Sequence, residues 1–592
     1  MKVDATNPNT IGHVIALSKT VFESTSNSIP IDHTCFDTTI LLKDTEDKNH
    51  APYLHDKWNT SDGQREDVEA VYAIRKHLLE FYVKHFDESK TYIQSAIILG
   101  PYLDHLITSI MSRRRRLNEI NWHSEEIFFK ASSRKNFEFR QLRDFTRAIE
   151  TEEFSEQIYI DLIDLELPKA TILTLTTDGY KRKRHSKNKK KVGIKLWLKK
   201  GIIKAYNRLV LNRAHIVISS PHIGTKDLAK IFIRSKFKIS MFPSDDIFDE
   251  FISKFIFPTR KHREVVESKS ESKFLIYELL FIKYLPACYG KISALGESVM
   301  REFNLPARPE SIFTANSYQY NEAFKAYLVL TSNSSRTLHI AQHGGHYGMG
   351  EFNLTEKHER EIADFYWTWG WKDSYYPGAT ILPAGMIKPK LPRRQKNRRR
   401  NSRIELLLVG LSIPKHPYRF YSTPMGVGVL NQYLFLKHMF RDLATETVKI
   451  NYRLSPDSRG FNQTAIADWM LCDHNFVVTP GDYVSDIKES DLVLCINNGT
   501  NFLEVLNSNK PCLWLLDQTQ WGFRQSTCHL MSRLADANIV HTDPKKAAEF
   551  INSLNLDDWW TSEAVQSIRD EFCSVFAAES PDFTRLFVER VT

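Results

Sequence analysis

The feature that most constrains this chain is an alternation. Short apolar runs rich in β-branched and aromatic residues recur, separated by helix-length stretches. "ATILTLT" (170–176), "AHIVISS" (214–220), "FKISMF" (237–242), "SIFTAN" (311–316), "RTLHIAQ" (336–342) and "DFYWTWG" (364–370) read as strands, with helical stretches such as 318–330 between some of them. Strands and helices in alternation bury their apolar surface as a parallel sheet covered by helices. The pattern breaks at "IKPKLPRRQKNRRRNS" (387–402), which is rich in Pro, Arg and Lys and nearly devoid of apolar residues. It then restarts: strands at 404–410, 447–454, 475–480, 491–497 and 511–517, helices at 427–445, 500–508, 523–536, 544–554 and 561–577. The expected fold is α/β, with two Rossmann-like lobes and a helical N-terminal region. The expected boundaries are an N-terminal lobe at 1–390, a basic linker at 391–402 and a C-terminal lobe at 403–592.

The first 65 residues are polar and carry little periodic signal. Helices are expected at 68–85 and 101–117. The second is expected to start at Gly100-Pro101, because proline suits a first helical turn, and Leu103, Leu106, Ile107, Ile110 and Met111 then recur at helical spacing.

Charge narrows the partners. The net charge is +9, concentrated at Arg113–Arg116, Lys181–Lys200 and Arg393–Arg403. Such a chain can meet nucleic acid, an anionic membrane or a phosphorylated substrate. Zinc-finger spacing, an RNP-like aromatic pattern and a helix-turn-helix are all missing from the sequence, which points away from nucleic acid. "VGIKLWLKKGIIKAY", at the end of the lysine-rich run, is basic and amphipathic and suits anionic lipid. The seven cysteines form no CxxC pair, the N-terminus has no signal-peptide pattern, and no uncharged apolar run reaches membrane-spanning length. The expectation is a cytoplasmic protein, peripheral at the inner membrane face through Lys181–Lys200, with no metal and no bound cofactor.

Two motifs fall where parallel sheets bind ligands, at strand carboxyl ends. The first is "AQHGGHYGMG", which places four glycines between Gly344 and Gly350 in a chain with only 23. Gly344 and Gly345 let the backbone turn and its N–H groups approach an anion. His343, first off the strand, suits a general base, since an unperturbed imidazole titrates near ~6.5. A tight loop with two surface histidines, His343 and His346, explains the same letters. The second motif is "DLVLCINNGTNFLEVLN", where a strand ends in Asn498, Gly499 and Thr500 and a helix opens. This is a phosphate-sized anion site or an ordinary cap. Glu504 follows on the same helix face and could accept ribose hydroxyls. Arg453 and Arg524 stand at other strand ends as candidate phosphate or carboxylate contacts, or as solvated loop arginines. Tyr366, Trp367, Trp369 and Trp371 alternate at strand spacing, with one side expected in the core.

"AQHGGHYGMGEF" with "EKHEREIADFYWTWGW" resembles the signature of a bacterial family of transferases for surface-carbohydrate synthesis. The resemblance continues through "YIQSAIILGPYLDHLI" (92–107), "PESIFTANSYQYNEAFKAY" (309–327) and "NNGTNFLEVLNSNKPCLWLLDQTQWGFRQ" (497–525). It departs at His346, where the family usually has glycine, and in the lysine-rich insertion near 181–200. The resemblance implies a GT-B-like, metal-independent glycosyltransferase of lipopolysaccharide or capsule synthesis. Its C-terminal lobe would hold a nucleotide-sugar donor, such as a CMP-linked nonulosonic sugar, at Asn498, Gly499, Thr500, Glu504, Arg453 and Arg524. Its N-terminal lobe would hold a glycan or lipid-linked acceptor near His343. A CDP-polyol phosphotransferase and a non-enzymatic scaffold for polysaccharide assembly remain as alternatives.

Overall fold

The computed structural model describes residues 61–119, 127–168, 170–174, 194–245, 272–332, 335–373, 375–387, 403–455, 459–471, 474–479, 481–580 and 582–591, with shorter stretches and single positions elsewhere, chiefly between 13 and 60. Residues 392–402 of the expected linker and 181–193 of the lysine-rich run lie outside them.

The described chain builds three parallel sheets. The first holds β1 (His13–Ala16), β2 (Ile29–Pro30), β3 (Ile127–Ala131) and β4 (Thr171–Thr174), in the order β2-β1-β3-β4. The second holds β5 (Ile216–Ser219), β6 (Ile239–Met241), β7 (Ser311–Thr314), β8 (Thr337–Ala341), β9 (Phe365–Thr368) and β10 (Thr380–Pro383), ordered β10-β9-β8-β7-β5-β6. The third holds β11 (Ile404–Val409), β12 (Val448–Arg453), β13 (Phe476–Val478), β14 (Leu492–Cys495), β15 (Cys512–Leu515) and β16 (Val540–His541), ordered β13-β12-β11-β14-β15-β16. That third order is the 3-2-1-4-5-6 order of doubly wound nucleotide-binding sheets, and its strand order reverses between β11 and β14. Strands β5, β7, β14 and β15 are buried along their whole length, as expected of strands covered on both faces.

The segment 1–390 thus carries two sheets. The N-terminal region, expected to be helical, also contains a small sheet; of its strands only β4, within the expected "ATILTLT", was signalled by an apolar run in the sequence. The last helix, Phe583–Val591, crosses back to the second sheet, where Phe587 packs on Phe313 (ring centroids 4.8 Å) and on Trp367 (5.9 Å).

One expectation is corrected. The helix expected to start at Gly100-Pro101 runs from Tyr92 to Glu119, with Pro101 inside it. It packs against helices Ser61–His85, Glu322–Leu330 and Leu354–Ile362. Packing outweighs the local proline signal here: a Cβ on Gly100 would stand 2.4 Å from the His358 ring, so the glycine lets two helices touch. Beside it the buried Arg75 bonds Glu361 (2.6 Å), Asp104 (3.2 Å) and His358 Nδ1 (2.8 Å), which fixes helix Leu354–Ile362 in place. Among the described residues no helix is long and apolar enough to cross a membrane.

Candidate active site: a cleft between two parallel sheets

A cavity of about 370 Å³ opens where the carboxyl ends of the second and third sheets meet. Gln319 and Tyr320 follow β7, and His343, Gly345, His346 and Tyr347 follow β8. Residues Leu411–Gly426 follow β11, and Asn497, Asn498 and Gly499 follow β14. The cleft therefore lies at the switch point of the third sheet, where such folds bind ligands.

The glycine-rich turn is set by its surroundings. Gln342 is clamped by three hydrogen bonds from two tryptophans: Trp369 N–H (3.0 Å) and Trp371 Nε1–H (2.8 Å) donate to its Oε1, and Trp369 Nε1–H to its carbonyl (3.1 Å). Gln342 in turn donates to the Gly344 carbonyl at 2.8 Å. Tyr366, Trp367, Trp369 and Trp371 are all buried, so both tryptophans beyond the strand serve the turn and neither lines the cleft. Gly345 N–H donates to Thr500 Oγ1 at 2.9 Å, and a Cβ on Gly345 would meet the Gly499 carbonyl carbon at 2.3 Å. The two motifs read separately in the sequence are thus in direct contact across the cleft.

His343 lines the cleft, and its Nδ1 stands 3.5 Å from Glu359 Oε1. Glu359 is fully buried on helix Leu354–Ile362. It also accepts the hydroxyls of Tyr318, Tyr347 (3.1 Å) and Tyr366 (2.6 Å). Burial pushes its carboxyl up to about 8, against the three phenolic hydrogen bonds that pull it down. An imidazole on the cleft wall with a buried carboxyl behind it is the arrangement of an oriented general base.

His346 plays another part. Asn498 Nδ2 donates to its Nδ1, and burial holds the ring neutral, with its pKa down to about 4. Its φ of +73° lies in the left-handed region, the conformation that a glycine would take without strain. Its ring covers Gly350, where a Cβ would approach to 2.2 Å.

The remaining expected site residues stand elsewhere. Arg524 is buried. It donates to the Gly350 carbonyl (2.9 Å), to Glu356 (2.8 Å) and to Asp373 (3.2 Å). Glu356 also accepts Gly348 N–H at 2.9 Å, so this pair ties the turn to the third sheet. Arg453 holds the Gly481 carbonyl (2.8 Å) and Asp486 (2.6 Å). Glu504 is half-buried on helix Thr500–Asn507. These three are absent from the cleft lining, which brings together His343, Gly345, His346, Asn498 and Gly499. Among the described residues no cluster of three or more His, Cys, Asp or Glu is placed to hold a metal.

Sequence reasoning missed the largest cleft wall, residues 411–426. Their signal was length: the connection from Val409 to Gly428 far exceeds the about two to six residues usual for a βα loop. The N-terminal region supports this loop. Arg113 donates to the Pro417 carbonyl (3.0 Å), Gln64 to the Thr423 carbonyl (2.6 Å) and Tyr418 to Glu150 (2.5 Å).

Two doubly wound parallel sheets that meet at their strand carboxyl ends across a cleft define a GT-B-type α/β protein. Residues 19–590 match the family described as the LIC12162 family transferase, and the chain belongs to that family. No curated protein matches the sequence. The fold is similar to MurG of Acinetobacter baumannii, with 14% identity, covering 64% of this chain and 99% of that one, TM-score 0.35. It is also similar to the UDP-GlcNAc 2-epimerase of Neisseria meningitidis bound to UDP-GlcNAc (12%, 63% and 98%, 0.34). A third similar structure is a Polygonum tinctorium UDP-glucosyltransferase (10%, 64% and 98%, 0.33).

Proposed function

We propose that this transferase is a glycosyltransferase that moves a sugar from a nucleotide-activated donor onto a hydroxyl acceptor in the cleft. The observation that carries the reading is the meeting of His343, backed by buried Glu359, with the Asn498-Gly499 helix start across one cavity. In the reaction the His343 imidazole takes the acceptor hydroxyl proton as that oxygen bonds the anomeric carbon. The anomeric carbon–phosphate oxygen bond breaks, and the nucleotide leaves with the electron pair. Glu359, buried behind the imidazole at 3.5 Å, keeps the ring oriented toward the acceptor. The donor class favoured by the sequence resemblance is a CMP-linked acidic nonulosonic sugar, and the acceptor a surface polysaccharide or its lipid-linked precursor.

The same reading includes a membrane-facing surface. Helix Ile194–Val210 exposes Trp197 (71%), Ile202 (67%) and Leu209 (83%), and no acidic residue occurs between 194 and 213. Exposed apolar side chains on an acid-free basic helix suit an anionic lipid interface.

The test is incubation of the full chain with CMP-, UDP-, GDP- and CDP-linked donors and a glycan acceptor mixture, followed by mass analysis of nucleotide and product. Nucleotide release with a sugar-sized mass gain on an acceptor is expected from one donor. Mass gain of a polyol phosphate from a CDP donor would replace sugar transfer by phosphotransfer. No turnover and no nucleotide binding would sink the enzyme reading.

A further inference from the structure

Among the described residues the cleft lining holds no aspartate, glutamate or lysine, and its one permanently charged side chain is Arg419. Arg419 is half-buried, and its Nε–H is buried without a hydrogen-bond partner among the described residues. Its contacts are the Tyr320 hydroxyl at 3.5 Å and the Tyr418 ring, 5.3 Å from its guanidinium carbon to the centroid. Four other arginines are matched by carboxylates: Arg75 by Glu361 and Asp104, Arg453 by Asp486, Arg459 by Glu150, and Arg524 by Glu356 and Asp373; Arg336, whose Nε is likewise unpartnered, lies outside the cleft lining. A partly desolvated guanidinium without a counter-ion is costly unless a ligand supplies the charge.

Its position is also fixed on both sides. Tyr418 is held by Glu150, Phe420 packs between Trp58 (5.3 Å) and Phe352 (5.2 Å), and Tyr421 shares a hydrogen bond with Thr355 at 2.5 Å. A guanidinium whose backbone is held by its flanking residues, which lines a cavity without carboxylates among the described residues and keeps an unpartnered Nε–H, suits an anion.

We infer that Arg419 is the oxyanion receptor of the cleft and takes the phosphate of the nucleotide donor, pairing its fork of N–H donors with two phosphate oxygens. The identity of the anion rests on the glycosyltransferase reading; its presence rests on Arg419 alone. During transfer the same contact receives the charge left on the departing nucleotide.

Calorimetry on the full chain tests this with inorganic pyrophosphate, CMP, UDP, the uncharged nucleosides cytidine and uridine, and free N-acetylneuraminate. Arg419→Met is expected to weaken nucleotide and pyrophosphate binding about 10- to 100-fold, with nucleoside binding within twofold of wild type. Arg419→Lys, which keeps the charge and loses the fork, should fall between. Equal nucleotide binding by wild type and Arg419→Met overturns the assignment and leaves the transferase reading standing. Arg419-dependent binding of pyrophosphate without any nucleotide binding keeps the receptor and removes the nucleotide donor. Binding of N-acetylneuraminate alone, lost in Arg419→Met, replaces phosphate by a sugar carboxylate and overturns the assignment, as does a wild type that binds no oxyanion. Should Arg419→Met fail to fold, phenylglyoxal modification of wild type decides. Protection of Arg419 by pyrophosphate supports the assignment, and unimpeded modification with pyrophosphate bound overturns it.

Discussion

Gly345 lies directly against Gly499: the Gly345 N–H reaches Thr500 Oγ1 at 2.9 Å, and a Cβ on Gly345 would sit 2.3 Å from the Gly499 carbonyl carbon. Two backbones from two sheets thus share one layer of atoms. The obstacle to a side chain is main chain, which cannot rotate aside. Gly345→Ala is expected to force the turns apart and destabilise the fold by about 1–3 kcal/mol, read as a lower thermal midpoint. Gly344→Ala, whose nearest contact is Thr500 Oγ1 at 3.4 Å, should cost much less.

His343 and Glu359 should separate by kinetics. Removing a general base in His343→Ala is expected to lower kcat by about 10²–10⁴-fold with the donor KM within a few-fold. Glu359→Gln keeps the shape of a side chain that burial already holds protonated below about pH 8, so a smaller loss of kcat is expected. A His343→Ala enzyme turning over at wild-type rate would remove His343 from the mechanism.

Glu359 also predicts a pH dependence of stability. Its folded-state pKa, about 8, lies above its ordinary 4.5 because the side chain is buried. Between those values the folded protein binds more protons than the unfolded chain. Its contribution is therefore fully present below about pH 4.5 and is lost as pH rises through about 8. Glu359→Gln cannot ionise. The thermal midpoint of the variant relative to wild type should rise across this window and level off above it. A difference independent of pH would show that Glu359 does not titrate there.

Arg524 should behave as a structural residue. Its guanidinium is buried with Glu356, and truncating one partner of a buried pair costs about 3–5 kcal/mol. Arg524→Ala is expected to lower the thermal midpoint and soluble yield strongly. A well-folded Arg524→Ala protein whose only defect is a raised donor KM would return this residue to the donor site.

What was legible in the sequence was whatever is local. The strands β5, β7, β8, β11, β14 and β15 announce themselves as short apolar runs, and the His343 and Asn498 turns as breaks at their ends, because period and turn chemistry are properties of neighbouring residues. Distant pairings were not legible. Glu359 lies 16 positions beyond His343, within a helix that reads as charged surface, yet three tyrosines and the Arg75 network hold that helix inside the fold. Arg524 stands at a strand's carboxyl end, as ligand-binding arginines do, but its partners Glu356 and Asp373 come from another sheet's connections. Arg419 was hidden in a loop without period, and its place in a cleft lining without carboxylates among the described residues marks it out. Pro101 misled for the same reason: the helix Tyr92–Glu119 persists because its neighbours require it.

The exposed face of helix Ile194–Val210 carries the last prediction. Trp197, Ile202 and Leu209 project into solvent, whereas Lys200 and Lys204 turn back to Glu302 at 3.1 and 3.2 Å. These exposed apolar side chains rather than those two lysines should therefore supply contact with a bilayer, with the remaining basic residues of the helix supplying charge attraction. The protein is expected to co-sediment with vesicles rich in phosphatidylglycerol more than with pure phosphatidylcholine vesicles, and less as salt rises. Replacing Trp197, Ile202 and Leu209 together by serine should weaken vesicle binding by about tenfold or more. Turnover with a water-soluble acceptor should stay unchanged, since none of the three lines the cleft. Vesicle binding equal in the triple variant and wild type would show that this face does not meet the membrane.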